Sequence, residues 1–435
     1  MGIKVGICGA AGGFSKSFIA LFQAHPDVDE VYLADLQADK LAEQAAEFKV
    51  EKTFTSLDEL LKSDCDAVAL FTQRWRHAPQ AVQALKAGKH VYSAVPAAAT
   101  MEELDELVKT VEETGLIYML AETSYYRAQT TFCREKFAAG DFGKFVYGEG
   151  QYHHDMAHFY KAYYRANGDE WKKYASYPPM LYPTHSVAFI LGVTFRRMTE
   201  VSCFGYVDDD QDGIFDPELS HWKNQFSNET ALFKTSDGGS ARVCEFRRTA
   251  HSMMDRMTIT GTKGCYQEQP REEGILSNVF TWLDFPKDYG KDGNIPYRDA
   301  GKLVKLKKKD YNDLCVFDGV TITEENRRCM SDECLGKTFL GISEAQSYEH
   351  LPVEFAGLPN GHEGTHLFLT NDFIRSVVAN SLPPNHVWLA ARYNAPGIMA
   401  HESAKRGGEL LKIPDYGMPK ASDWKMMDEV FPLQS

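Results

Sequence analysis

The chain opens on a short apolar run, Val5-Gly6-Ile7-Cys8, that leads straight into Gly9-Ala10-Ala11-Gly12-Gly13 and then a helical pattern from about Phe14 to Ala24. A buried strand, a glycine turn and a helix in that order form the first half of a βαβ unit, whose strands lie parallel and need covering on both faces. The two periodicities keep alternating to about residue 120. Val31–Asp35 is a strand, followed by an Ala/Leu/Glu helix through Phe48; Ala67–Phe71 is a strand, followed by a helix over 78–87 that ends at Gly88. His90–Tyr92 is the next strand, and a Glu-rich helix over 101–114 stops at Gly115 before strand Leu116–Leu120. This pattern predicts an α/β Rossmann domain with a parallel sheet over residues 1–122.

A helix over Ala128–Ala139 follows, and then the character changes. Phe145–Tyr152, Thr199–Val207, Thr230–Thr235, Ser240–Phe246 and Arg256–Gly261 read as longer strands separated by turn residues. Residues 123–435 are therefore expected to form an α+β domain with a mostly antiparallel sheet. Within it, about 265–350 reads as an irregular insertion, and two closing helices, about 362–380 and 386–404, are split by Pro383-Pro384.

Composition excludes several classes. The net charge of -14 is wrong for neutralising phosphates, so no nucleic-acid partner is expected, and the basic run Lys302–Lys309 reads as a solvated strand or loop. No apolar run reaches the ~18 residues of a membrane span, and the first residues lack a charged leader and an apolar signal core. The nine cysteines are scattered and odd in number, as expected of reduced thiols in a cytoplasm. No metal site is expected: Cys329 and Cys334 lack a histidine cluster. Asp208-Asp209-Asp210-Gln211-Asp212-Gly213 begins like a calcium loop, but Leu219 stands where the closing glutamate belongs, so it reads as a solvated acidic turn.

The glycine turn lets backbone N–H groups and a helix N-terminus approach a pyrophosphate, although Ala11 and Phe14 occupy two positions where the strict G-x-G-x-x-G register has glycine. Asp35 ends the second strand, where a carboxylate accepts hydrogen bonds from an adenosine ribose and repels a 2′-phosphate. Together these predict NAD rather than NADP, with Gly9, Ala11, Gly12, Gly13 and Asp35 as contacts.

Thr72-Gln73-Arg74-Trp75-Arg76-His77 and Ala87-Gly88-Lys89-His90-Val91 narrow the field. They resemble the T-P-x-x-x-H and A-L-x-x-G-K-H-V signatures of the Gfo/Idh/MocA oxidoreductases, a resemblance covering nearly the whole chain. It implies further cofactor contacts at Thr72, His77, Pro96 and Glu122. The usual dehydrogenases of that family carry Glu-Lys-Pro after the G-K-H-V strand, the lysine assisting proton transfer; here Ala94-Val95-Pro96 leaves Val95 in its place. Their D-x-G-x-H is reduced to the histidine of Leu181-Tyr182-Pro183-Thr184-His185.

The branch of NAD-dependent α-N-acetylgalactosaminidases is similar in its Val-Pro and Tyr-Pro-Thr-His. It also resembles this chain at Met119-Leu120-Ala121-Glu122, at Gly148 through Asp155 and at Gly361-His362-Glu363-Gly364. That resemblance implies catalytic roles for Glu122, Tyr152, His154 and His185. The residues also suit the chemistry, since oxidising a carbinol requires a group that takes the hydroxyl proton. Tyr152 and His154 alternate along one strand and share a face, with His153 opposite. Thr184 is expected to cap a helix that carries His185 in its first turn, and Glu122 ends a parallel strand on the ligand-binding edge.

The sequence thus points to an NAD-dependent enzyme oxidising a ring carbinol of a pyranoside, with C3 favoured. Redox-neutral glycoside cleavage through transient oxidation is the alternative, and a non-catalytic sugar or NADH sensor a third reading. By analogy with the family, a homo-oligomer is expected.

Overall fold

A computed structural model describes residues 2–250, 254–268, 278–282, 339, 341–343, 345–420 and 422–427. The amino-terminal strands are β1 (Ile3–Cys8), β2 (Val28–Ala34), β3 (Thr53–Phe54), β4 (Ala67–Leu70), β5 (His90–Ser93) and β6 (Tyr118–Leu120). Helices α1 (Ser15–Ala24), α2 (Ala38–Phe48), α3 (Leu57–Leu60), α4 (His77–Lys86) and α5 (Met101–Thr114) connect them. All pairings are parallel, in the order β3-β2-β1-β4-β5-β6. Val5, Ile7, Leu33, Val68, Leu70 and Val91 are fully or almost fully buried, which is why these strands read as unbroken apolar runs. The order reverses between β1 and β4, so their carboxyl ends frame the crevice in which such sheets bind ligands.

The second sheet comprises β7 (Phe145–His153), β8 (Met198–Val207), β9 (Phe226–Thr235), β10 (Ser240–Phe246), β11 (Met254–Gly261), β12 (Gly264–Glu268), β13 (Asn278–Trp282) and β14 (Leu411–Lys412). Among the described residues its order is β13-β12-β11-β7-β10-β9-β8-β14. Only β7 and β10 pair in parallel, so the sheet is mixed and mostly antiparallel. Helices α6 (Ala128–Ala138), α7 (Tyr160–Asn167), α8 (Trp171–Ala175), α9 (Thr184–Thr194), α10 (Thr365–Ala379) and α11 (Val387–Lys405) complete the described elements. Helices α9 and α11 pack on the sheet, while Phe204, Tyr206 and Leu232 remain exposed.

The arrangement of elements departs from the sequence expectation in several places. Residues 265–268 and 278–282, where an irregular insertion is expected, are strands that extend the sheet; most of the rest of 265–350, with Lys302–Lys309, Cys315, Cys329 and Cys334, lies outside the described residues. Helices α7 and α8 are short, 8 and 5 residues, and bury only Ala175. They are held by tertiary contacts, with Trp75 stacked on Tyr174 at 5.1 Å and Ile214 and Phe215 packed beneath Tyr160 and Trp171. Helix α10 starts at Thr365 because His362, Glu363 and Gly364 hold φ of 50°, 60° and 83°, incompatible with a right-handed turn. Finally, the acidic turn is not simply solvated. Arg248 donates to Asp208 at 2.7 Å and Asp212 at 2.6 Å, with Asp210 3.5 Å away, so a guanidinium sits among the carboxylates.

Candidate active site

The dinucleotide crevice is built from the glycine turn upward. Gly9 has φ 85°, and a Cβ there would lie 2.5 Å from the Phe71 carbonyl, so only glycine lets the loops after β1 and β4 meet. A Cβ on Gly13 would meet nothing within 4 Å, which leaves the outer surface of the turn open. Helix α1 begins at once, with no capping side chain and no acidic residue in its first turn, so its first amide donors remain available to an anion. Asp35 accepts the Ala11 amide at 2.9 Å and the Gln37 amide at 2.9 Å. A carboxylate offers about four lone-pair sites, so it retains capacity for a ribose hydroxyl. The turn and Asp35 therefore fit NAD.

Thr72, His77 and Pro96 form the neighbouring wall. His77 is buried, with Nδ1 3.0 Å from the Pro96 carbonyl and Nε2 3.1 Å from the Thr72 carbonyl. Burial pushes its pKa down to about 4. A neutral imidazole has one N–H, so it donates to one of these carbonyls and packs against the other. His77 therefore positions the two loops rather than presenting a side chain to the crevice. Thr72 Oγ1 hydrogen-bonds Gln80, and Asn394 on α11 accepts the Ala97 amide at 2.9 Å, fixing the loop after Pro96. Val95 is buried and supplies no titratable group at the site of the missing lysine.

At the end of β6, Glu122 is fully buried. Its Oε1 accepts the Ser124 amide at 2.8 Å and lies 2.7 Å from His185 Nδ1. Burial opposes its charge, yet His185, the Thr184 hydroxyl and the Ser124 amide prevail and hold the carboxyl below its usual range. An ionised carboxylate only accepts, so Nδ1 carries the shared proton. Asn385 bonds the Glu122 carbonyl at 3.2 Å, and Thr123 Oγ1 stands 3.4 Å from the same Nδ1. Thr184 is not the cap of α9 but its first residue; Pro183 takes the cap position, which puts His185 second in the helix.

Strand β7 explains how that helix reaches the sheet. Gly148, Gly150, Tyr152 and His154 alternate on one face. A Cβ on Gly150 would lie 2.1 Å from the Ser186 carbonyl, and one on Gly148 would lie 2.9 Å from Ile190. The two glycines thus let α9 settle on the strand, bringing the Tyr152 ring to 5.2 Å from the rings of both His185 and His154. His153, on the other face, stacks on Phe246 at 4.3 Å, as its alternation requires. Burial, reinforced by Arg247 and His158, lowers the His154 pKa to about 4. Burial raises Tyr152 well above the ordinary phenol.

The neighbouring strands add a buried polar row in register with Tyr152: Asp255 on β11, Glu245 on β10 and then Glu229 on β9. Each has a counter-group. Arg127 pairs with Asp255 at 2.5 Å, Arg247 with Glu245 at 2.7 Å, and His401 with Glu229 at 2.9 Å. Glu245 also accepts from Ser186 Oγ at 2.5 Å, tying the row to the residue beside His185. Burial raises its pKa to about 7 despite Arg247.

Several residues of the site carried no assigned role from sequence. Tyr182 stands 5.3 Å from His185 and 6.0 Å from Tyr152, ring to ring, and the guanidinium carbons of Arg74 and Arg247 lie 4.3 and 5.5 Å from its centroid. His362 stacks 6.3 Å from His185 and hydrogen-bonds His366 at 2.9 Å; both rings also meet the edge of Phe14, linking the glycine turn to the dyad. The Gly361-amide bond to His366 Nδ1 makes that nitrogen an acceptor, so His366 Nε2–H donates to His362. The available signal was the Gly361-His362-Glu363-Gly364 segment, whose run of left-handed residues is where strain gathers at sites. Among the described residues no cluster of potential metal ligands forms.

Residues 3–122 match the Gfo/Idh/MocA family, described as an oxidoreductase family with an NAD-binding Rossmann fold. A glycosyl hydrolase family 109 protein from Solibacter usitatus is 26% identical over 446 residues, spanning 95% of this chain and 88% of that protein. Glycosyl hydrolase family 109 protein 2 from Shewanella sp. (strain MR-4) is 36% identical over 248 residues, 52% of this chain and 53% of that one. Levoglucosan dehydrogenase in complex with NADH and levoglucosan superposes with a TM-score of 0.67 at 15% identity, covering 95% of this chain and 100% of that one. Myo-inositol 2-dehydrogenase from Lactobacillus plantarum gives 0.63 at 16% identity, again with 95% and 100% covered. At these identities the two structures establish the shared fold.

Proposed function

We propose that this chain, whose residues 3–122 match the Gfo/Idh/MocA oxidoreductase family and its NAD-binding Rossmann fold, oxidises a ring carbinol of a pyranoside, at C3. The observation that carries the reading is the buried Glu122–His185 pair at the carboxyl end of β6, on the edge where the glycine turn and Asp35 receive the dinucleotide. NAD, when bound, supplies the hydride acceptor. The protein supplies the rest. His185 Nε2 takes the hydroxyl proton, and the Glu122 carboxylate stabilises the resulting imidazolium charge across a 2.7 Å bond. Tyr152 lies beside His185, and His154 lies beside Tyr152. His154, neutral at ordinary pH, orients the sugar by hydrogen bonding, and the flat Tyr152, Tyr182 and His362 rings restrict water. In this reading residues 1–122 hold the cofactor, with Thr72, His77 and Pro96 shaping its pocket, and residues 123–435 hold the sugar.

A second reading shares the first step. Oxidation at C3 acidifies the C2 hydrogen, so a second proton transfer from C2 expels the C1 substituent; water then adds across the resulting enone, its oxygen to C1 and a proton to C2, and reduction at C3 returns the hydride with no net redox change. Two observations favour this glycosidase outcome: the near end-to-end alignment with a family 109 glycosyl hydrolase, and the buried Val95 where a dehydrogenase lysine would stand.

Incubating the protein, catalytic NAD and a panel of methyl and nitrophenyl glycosides in deuterated water distinguishes the outcomes. Hydrolysis releases aglycone, accumulates no NADH and leaves deuterium at C2 of the recovered sugar. Net oxidation accumulates NADH in step with keto-sugar and leaves the glycosidic bond intact. Absence of both signals across the panel would leave the sensor reading standing.

A further inference from the structure

Arg74 lies in the short turn Arg74–Arg76 that precedes α4, half-buried against the second domain. Its guanidinium carbon stands 4.3 Å from the Tyr182 ring centroid and 6.0 Å from that of Tyr177, and Nη1 donates to the Tyr163 hydroxyl at 3.4 Å. Among the described residues no carboxylate lies within ion-pair distance of it. The other arginines around the site each face a carboxylate: Arg127 meets Asp255, Arg247 meets Glu245 and, farther out, Arg248 meets the acidic turn. A guanidinium carries five N–H donors, and drawing it out of water without an anion is costly. Aromatic faces offset only part of that cost. A cation with unused donors therefore stands one tyrosine ring away from His185, because the Tyr182 ring that it covers is 5.3 Å from the His185 ring.

The surroundings carry the same sign. The segment of α7 and α8 that closes over this turn holds Lys161, Arg165, Lys172 and Lys173 against Asp169 and Glu170, in a chain whose net charge is -14. Lys161 and Arg165, with Tyr160, Tyr164 and Trp171, line a cavity of about 500 Å³ on that segment. Arg74 faces Tyr163, Tyr177 and Tyr182, all from the 160–182 segment, and makes no hydrogen bond to the glycine turn. That orientation favours the substrate over the cofactor pyrophosphate as the source of the anion.

We propose that Arg74 recognises a carboxylate on the sugar, so that the substrate class is acidic glycosides of the uronic-acid type. The planar fork of a guanidinium matches a carboxylate with two parallel hydrogen bonds, and Tyr163 holds one amino group in place for it. The inference rests on the reading that a sugar is bound beside His185.

The test is calorimetric titration of the NAD-loaded protein with methyl glucuronide against methyl glucoside, and methyl galacturonide against methyl galactoside, for the wild type, Arg74→Gln and Arg74→Lys. The wild type is expected to prefer one of the uronides to its neutral partner. Arg74→Gln is expected to shrink that preference by about ten- to a hundred-fold, the range for hydrogen bonds to a charged group. Arg74→Lys restores only part of it, because an ammonium keeps the charge and loses the fork. NAD titration of each variant reports on folding and on the competing source of the anion. Equal binding of acidic and neutral partners by the wild type, a preference unmoved by Arg74→Gln, or a loss of NAD affinity in its place overturns the proposal. If neutral glycosides bind and reduce NAD with no acidic preference, this inference fails and the oxidoreductase reading survives; if no sugar of either kind binds, both fail.

Discussion

In the proposed reaction Glu122 and His185 act as one unit, and the substitutions that test them differ in kind. His185→Ala removes the base itself and is expected to lower turnover by about 10²–10⁴-fold. Glu122→Gln keeps the shape, and because the Ser124 amide and His185 Nδ1 meet the same oxygen, the glutamine carbonyl takes that place; the tautomer is kept and the negative charge facing the imidazolium is lost. Its loss should therefore be smaller than that of His185→Ala, and the double variant should lose little more than His185→Ala alone. Steady-state kinetics alongside NAD titration check this. Additive losses would mean that the two residues work separately. The residue types here were readable from the sequence because each sits at a strand end or helix start with a defined direction. Arg74, Arg247 and Tyr182 were not, because cation–ring contacts join three separate segments and leave no local spacing.

Secondary elements were legible where one periodicity dominates. The βα alternation of the first 120 residues and the two-residue period of β7 placed the crevice and set Tyr152 and His154 on one face. Helices α7 and α8 are not legible in the sequence because they are short, 8 and 5 residues, and are held by tertiary packing on Trp75 and Phe215. Helix α9 is buried along its whole length, so it has no polar face to betray it, and the glycines of β7 are its real signature. Gly150→Ala puts a methyl 2.1 Å from the Ser186 carbonyl, which is backbone and cannot swing aside. It is expected to cost about 1–3 kcal/mol in urea unfolding, the usual penalty for overpacking. Turnover should fall as well, because α9 moves His185 with it. Unchanged stability would show that helix and strand are not in this contact.

Over the whole molecule, burial sets a common acid sensitivity. His77 and His154 are lowered from 6.5 to about 4, and His362 and His386 to about 3, burial being the largest cause for each. Between these values and 6.5 the unfolded chain takes up protons that the folded protein refuses, so stability is present above 6.5 and is lost as pH falls toward 4. Glu245, raised from 4.5 to about 7, acts oppositely, favouring the fold more at low pH and less as pH rises through 7. Four groups outweigh one, so the urea midpoint should fall between about pH 7 and pH 5; a midpoint that rises would contradict this burial. The proposed function is a property of the same scale, because the glycine turn belongs to one sheet and the Glu122–His185 pair links that sheet to the helix packed on the other. The most direct measurement follows a deuterium placed on the oxidised carbinol carbon of a glycoside turned over by the protein. After rapid quenching of stoichiometric protein, NAD and labelled sugar, mass spectrometry of the nicotinamide reads where the label has gone. Deuterium carried onto the nicotinamide ring by the wild type, and sharply reduced in His185→Ala, is the predicted result; label that stays on the sugar while product forms would contradict it.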